Sequence, residues 1–159
     1  MSENIHATGI VLDGSGVLLR GPSGAGKSLL ALSLIDRWEG RGLSANLVAD
    51  DRLDVAATGG VVMMRTPPRI AGLAELRGRG IVRRPHVAEA RVDLVVDLVE
   101  TLERMVEEVD LRTDFLGVAL PRCPVPRAGA IELGHQILLV SEALRGLAGA
   151  GSAARQKTT

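Results

Sequence analysis

Aromatic side chains are almost missing from this chain: one Trp, one Phe and no Tyr among 159 residues. Single-stranded nucleic acid would therefore find no platform on which to stack its bases. The formal net charge is zero, from 19 basic against 19 acidic side chains, which removes the bulk attraction that phosphate backbones need. A lone cysteine, Cys123, excludes an intrachain disulfide, fits a reducing compartment, and reads as a half-buried structural thiol. No run approaches the roughly 18 apolar residues of a membrane span, and Met-Ser-Glu-Asn lacks the basic region and apolar core of an export signal. The expectation is a cytoplasmic protein with neither nucleic acid nor membrane as partner. Lysine is the last scarcity: 17 of the cations are Arg and two are Lys, of which Lys157 sits in the tail and Lys27 in the body.

What is present suits one globular domain, with 46% apolar and 24% charged residues. The sequence predicts a domain over residues 1–147 and an unstructured tail over 148–159. Ile5 to Leu12 reads as a strand, and the turn cluster Asp13-Gly14-Ser15-Gly16 leads into Val17-Leu18-Leu19, predicting a hairpin. From Ser28 the apolar period becomes helical through Leu30, Leu34 and Trp38 until Gly40 and Gly42 stop it. Asn46 to Ala49 is a short strand ending in Asp50-Asp51, and Thr58-Gly59-Gly60 sits between two further apolar runs as a second hairpin. Ile70 to Gly80 reads as a loop, Val92 to Val99 as a strand covered on both faces, Glu100 to Asp110 as a surface helix, the Pro121, Pro124 and Pro126 stretch as a stiff connection, and His135 to Leu147 as a helix. The fold class is α/β, a mixed sheet with flanking helices.

Gly21-Pro22-Ser23-Gly24-Ala25-Gly26-Lys27-Ser28 matches G-x-x-x-x-G-K-[ST] between an apolar strand and an amphipathic helix. At this composition, chance placement gives that string in only about 0.3% of chains of this length. Glycines let backbone N–H groups turn inward around phosphate oxygens, and the helix adds its positive end. Lys27 supplies a point charge for the outer phosphates and Ser28 a hydroxyl for Mg²⁺. The pattern predicts binding of a nucleoside triphosphate such as ATP.

Leu47-Val48-Ala49-Asp50-Asp51 looks like the second half of such a site, with Asp50 reaching the metal directly or through water. Two ionised carboxylates side by side repel, which suits the second, Asp51, to accept a proton. In Ala74-Glu75-Leu76-Arg77-Gly78-Arg79-Gly80-Ile81, Glu75 is placed to turn towards a metal and Arg77 towards transferred charge.

The order of these motifs resembles the catalytic domain of HPr kinase/phosphorylase, whose pattern is a phosphate loop, an Asp-Asp strand end and a signature close to E-I-R-G-L-G-I. The resemblance covers roughly residues 5 to 147, strongly through residue 82. It implies a P-loop fold related to phosphoenolpyruvate carboxykinase, and transfer of the γ-phosphate of ATP to a serine of the phosphocarrier protein HPr, which many members reverse with inorganic phosphate. It implies that His6 is the active-site histidine, that Lys27 and Ser28 keep their phosphate and Mg²⁺ roles, that Asp51 accepts the proton of the target serine, and that Glu75 is a second Mg²⁺ ligand. Arg104 sits where the family has an arginine in a D-R-L-G-like stretch. An oligomer is expected, since the family forms hexamers, and the chain resembles short forms without a preceding domain.

Two departures stand out. Arg79 replaces an apolar residue of the signature. Pro124-Val125-Pro126-Arg127-Ala128-Gly129-Ala130 keeps only part of P-V-R-P-G-R-N, the stretch associated with the reverse reaction, so kinase activity is better supported than phosphorylase activity. Two other readings of the phosphate loop are a small NTPase or small-molecule kinase, and a regulatory module that senses nucleotide.

Overall fold

In the computed structural model, residues 2–157 are described, with side chains through residue 148. The central element is a six-stranded mixed sheet built from β2 (Ala7–Leu12), β3 (Ser15–Arg20), β4 (Ala45–Ala49), β10 (Leu94–Val99), β11 (Arg112–Phe115) and β12 (Val118–Pro126), in the order β11-β12-β10-β3-β2-β4. Asp13-Gly14 closes the expected first hairpin. Both residues take positive φ, 49° and 83°, as a two-residue turn that follows the strand twist requires. The second expected hairpin is β5 (Leu53–Thr58) and β6 (Val61–Arg65), which with β1 (Ser2–Ile5) and β9 (Glu89–Arg91) forms a four-stranded antiparallel sheet.

Strand alternation separates two cores. From β3 and β10, Val17, Leu19, Leu94 and Val96 join a cluster under helices α1 (Lys27–Gly40) and α2 (Leu133–Lys157), while Leu18 and Val95 join the cluster beneath the four-stranded sheet. The central sheet is therefore covered on both faces, by helices on one side and by the smaller sheet on the other. Both helices lie on the same face.

Three connections differ from the sequence expectation. Residues 73–83 form a hairpin, β7 (Leu73–Leu76) with β8 (Gly80–Arg83), where the sequence reads as loop. The glycines that suggested a loop supply its turn, with Gly78 and Gly80 at positive φ. Residues 100–107 are irregular, and only Glu108–Leu111 makes a 3₁₀ turn. The expected surface helix does not form although Leu102, Met105, Val106 and Val109 recur at helical spacing; these side chains stay exposed, so no burial stabilises the turns.

The proline stretch is a nine-residue strand, β12. It pairs with β11 over Val118–Pro121 and with β10 over Arg122–Pro126. The Arg127 N–H bonds to Val99 O, so odd-numbered residues face β10. Pro124 and Pro126 thus turn their missing N–H to the side where β11 has ended, and Pro121 towards β10 before that pairing begins, which is how a sheet accommodates proline. Finally, α2 continues through Lys157, where an unstructured tail was expected from residue 148; no proline interrupts the run and its Ala, Arg, Gln and Lys favour helix. Thr158 and Thr159 lie outside the described residues.

Candidate active site

Strand direction gathers the site. β3, β10 and β12 run parallel, and β4 runs parallel to β3 because each is antiparallel to β2. The segments leaving β3, β4 and β12 therefore emerge at one edge, the edge at which open α/β sheets bind ligands. His6 precedes the oppositely running β2, so it enters at that edge too.

The phosphate loop, residues 21–28, lies between β3 and α1. Gly24 and Gly26 take φ of 83° and 95°, and the loop is closed by Ala25 N–H to Pro22 O at 3.1 Å. Ala128, after β12, clamps it: its N–H donates to Ala25 O at 3.1 Å, and a Cβ at Gly26 would lie 2.8 Å from Ala128 Cβ. Only glycine fits there. Lys27 is buried, and its Nζ donates to the carbonyls of Gly21 at 2.7 Å and Pro22 at 3.2 Å. An ammonium has three N–H donors, so one remains for an outer phosphate oxygen.

A cleft of about 320 Å³ opens beside the loop, bounded by Ser23, Gly24, Gly26, Lys27 and Ser28, by Asp50 and Asp51, by Glu75 and Arg77 of the β7–β8 hairpin, and by Ala128. Gly21, Pro22 and Ala25 do not line it, since the first two hold Lys27 and Ala25 packs in the core. Asp50 Oδ1 accepts the Ser28 hydroxyl at 2.7 Å and the Thr8 hydroxyl at 3.0 Å, while Oδ2 accepts the Glu75 N–H at 3.1 Å. Ser28 thus commits its proton to Asp50 and keeps its lone pairs for a cation. With Asp50 and the Glu75 carboxylate, the donors are all oxygen, which fits Mg²⁺. Among the described residues no group of three or more His, Cys, Asp or Glu forms a cage for a metal, so phosphate oxygens and water would complete the coordination.

The two adjacent acids line the same cleft but take different partners. Asp51 takes φ of 68°, a left-handed backbone that aspartate tolerates better than most non-glycine residues. Its carboxylate bonds to His6 Nε2 while Asp50 is held by Thr8, Ser28 and Glu75. Mutual repulsion therefore does not set Asp51 apart; partner choice does. Thr8 bridges the pair, donating to Asp50 and accepting the Asp51 N–H at 3.2 Å. This fully buried threonine was missed from sequence, though it is the one polar side chain in the apolar strand A-T-G-I-V-L. A β-bulge between Gly9 and Ile10, facing the end of β4, re-aims the strand that carries both acids.

Outside the cleft, Arg104 lies in the irregular 100–107 segment, and the chain does not bring it to the loop. Arg79 is exposed at the hairpin turn, not in the cleft. Arg127 donates to Glu100 at 2.8 Å and to Ala128 O at 3.0 Å. Behind the loop, Asp97 takes Arg20 at 2.7 and 2.9 Å and Arg122 at 2.6 Å. Burial alone would raise the Asp97 pKa, but hydrogen bonds and charge from both guanidinium groups outweigh it and hold the carboxyl below its ordinary value.

The chain is similar to known proteins over most of its length. The family described as HPr Serine kinase C-terminal domain matches residues 1–144. HPr kinase/phosphorylase proteins from Streptococcus pneumoniae strains are 32% identical over 90% of this chain and 47% of their own length. The chain thus spans about half the length of the curated relatives it matches. The solved structure of the Hpr(Ser) kinase/phosphatase from Coxiella burnetii superposes with a TM-score of 0.73 at 27% identity, covering 94% of this chain and 99% of that one. The mixed α/β fold is of the P-loop kinase type. The chain belongs to the HPr serine kinase C-terminal domain family.

Proposed function

We propose that the chain transfers the γ-phosphoryl group of ATP, with Mg²⁺, to a serine of the phosphocarrier protein HPr. The observation that carries this reading is the convergence of a complete phosphate loop with the His6–Asp51 pair at one sheet edge. The loop N–H groups and Lys27 hold the outer phosphates. A bound Mg²⁺ supplies charge neutralisation at the transferred group. Ser28, Asp50 and Glu75 are the residues positioned to hold it. Asp51 orients the acceptor hydroxyl and takes its proton as the serine oxygen bonds to the γ-phosphorus and the bond to the β–γ bridging oxygen breaks, releasing ADP. His6 fixes the Asp51 carboxylate, and Arg77 at the cleft mouth faces the developing charge.

The forward direction is favoured because Ala128-Gly129-Ala130 presents no cationic side chain at the loop, and the Arg127 guanidinium is engaged by Glu100 and Ala128. Among the described residues no helix is long and apolar enough to cross a membrane, which supports a cytoplasmic placement. A homo-oligomer is part of the same reading, tested by light scattering. The deciding experiment is mass spectrometry of HPr after incubation with the chain, ATP and Mg²⁺. Phosphoserine on HPr, lost in Asp51→Asn while nucleotide affinity stays within about twofold, is the expected result; phosphate released only to water would make the chain an NTPase instead.

A further inference from the structure

Two hollows share the His6–Asp51 pair as a wall. Asp51 borders the phosphate-loop cleft, and His6 borders a second hollow of about 250 Å³ on the other side. We propose that this second hollow is an acceptor subsite, taking an apolar side chain that neighbours the target serine on a protein whose adjoining surface carries a cation. The proposal rests on the kinase reading above. In phosphoryl transfer the attacking and leaving oxygens lie roughly in line on opposite sides of the moving group. The phosphate loop fixes the donor on one side of the pair, so the acceptor approaches from the other.

Size and lining point to a side chain. The volume falls below the roughly 300–1,000 Å³ of small-molecule sites. Ile5, Phe115 and Leu116 supply apolar lining, and Glu3 and Asp114 supply acid. Asp114 is fixed by the Gly117 N–H at 3.0 Å. The cation of the hollow, Arg20, lies over the Phe115 ring at 5.5 Å and is paired in a bidentate bond with Asp97. Its charge is answered within the protein. Glu3 and Asp114 are left as the charge an acceptor meets, and the complement is a cation beside an apolar residue.

The backbone carries the second argument. The turn between β11 and β12 is Leu116-Gly117, with φ of 51° and 82°, nearly the same angles as Asp13-Gly14 in the turn between β2 and β3. Asp-Gly is a preferred pair for that geometry; leucine is a strained choice where asparagine would relax it. Strain at one turn and its absence from the twin draw attention to the Leu116 side chain, which packs against the core beneath the smaller sheet on one side and lines the hollow on the other.

Leu116→Asn tests this at small cost to the fold, because asparagine relaxes the left-handed backbone and so offsets the packing lost against the core beneath the smaller sheet. With HPr as acceptor, KM for the protein is expected to rise about tenfold, while nucleotide affinity holds and the urea midpoint changes little. The double variant Glu3→Gln, Asp114→Asn is expected to raise the same KM about threefold and to flatten its salt dependence. Unchanged acceptor KM in both, with wild-type phosphoserine formed, overturns the subsite and leaves the kinase reading standing. A KM that rises only together with lost nucleotide affinity or lost stability also overturns it. Absence of phosphoserine from the wild-type reaction overturns the kinase reading and the subsite together.

Discussion

Gly26→Ala separates two causes of loop failure. At φ of 95° an alanine meets the left-handed penalty of about 1–2 kcal/mol, and its Cβ, 2.8 Å from Ala128 Cβ, pushes away the residue whose N–H bonds to Ala25 O. Losing that bond adds about 1 kcal/mol. The stiffer unfolded chain returns about 0.5 kcal/mol, for a net loss of about 2 kcal/mol. Gly24→Ala is the control: its φ is 83° and a Cβ there meets nothing within 4 Å, so only the backbone penalty applies, a net of about 1 kcal/mol. With a urea slope of about 2 kcal/mol per M, the midpoints fall by about 1 M and about 0.5 M. Adding Ala128→Gly to Gly26→Ala removes the collision and is expected to bring the midpoint back to that of Gly24→Ala. Equal shifts for the two single variants, or no recovery in the double, would refute the clamp.

Lys27→Ala is expected to abolish nucleotide binding measured by calorimetry, since both the phosphate charge and the ties to Gly21 and Pro22 are lost. Asp97→Asn leaves two guanidinium groups without their shared partner and is expected to cost about 2 kcal/mol at pH 7. Because the folded pKa of Asp97 lies below its ordinary 3.8, its contribution is complete above that value and is lost as pH falls through the folded one. The gap between wild type and Asp97→Asn in urea titrations should therefore begin to narrow below about pH 4 and go on narrowing as pH falls through the folded value; a gap that does not narrow refutes the charge argument. The Cys123 thiol, pushed up to about 12 mainly by burial, should resist thiol reagents at pH 8 until the protein unfolds; rapid labelling of folded protein would contradict its burial.

The phosphate loop, the first hairpin and α1 were legible because each has a local cause: glycines with a lysine, a turn pair, an apolar period of 3.6. The 73–83 hairpin was not, since Gly72, Gly78 and Gly80 mask two strands of four residues. β12 was hidden by prolines that are tolerated only because β11 and β10 exchange along its length, a tertiary fact. Asp50 and Asp51 were found as a pair, but the backbone turn that sends one to Ser28 and the other to His6 has no signature in the letters. His6 itself came from resemblance; a lone histidine before a strand signals nothing until the sheet edge brings Asp51 beside it.

Asp50 draws donors from three separate stretches of chain: Thr8 in β2, Ser28 in α1 and the backbone of β7. These parts are locked during folding, so a nucleotide meets a socket already rigid, and the entropy of arranging it is not subtracted from affinity. No slow lid closure is then needed, and association should follow one kinetic phase set by encounter. A socket that does not close cannot by itself keep water from the phosphoryl group. Asp51 and His6 remain 58% and 40% exposed, and under the proposed kinase reading the body that covers them is the acceptor protein. On that reading the substrate would serve as its own lid, tying consumption of nucleotide to the presence of a serine to receive it.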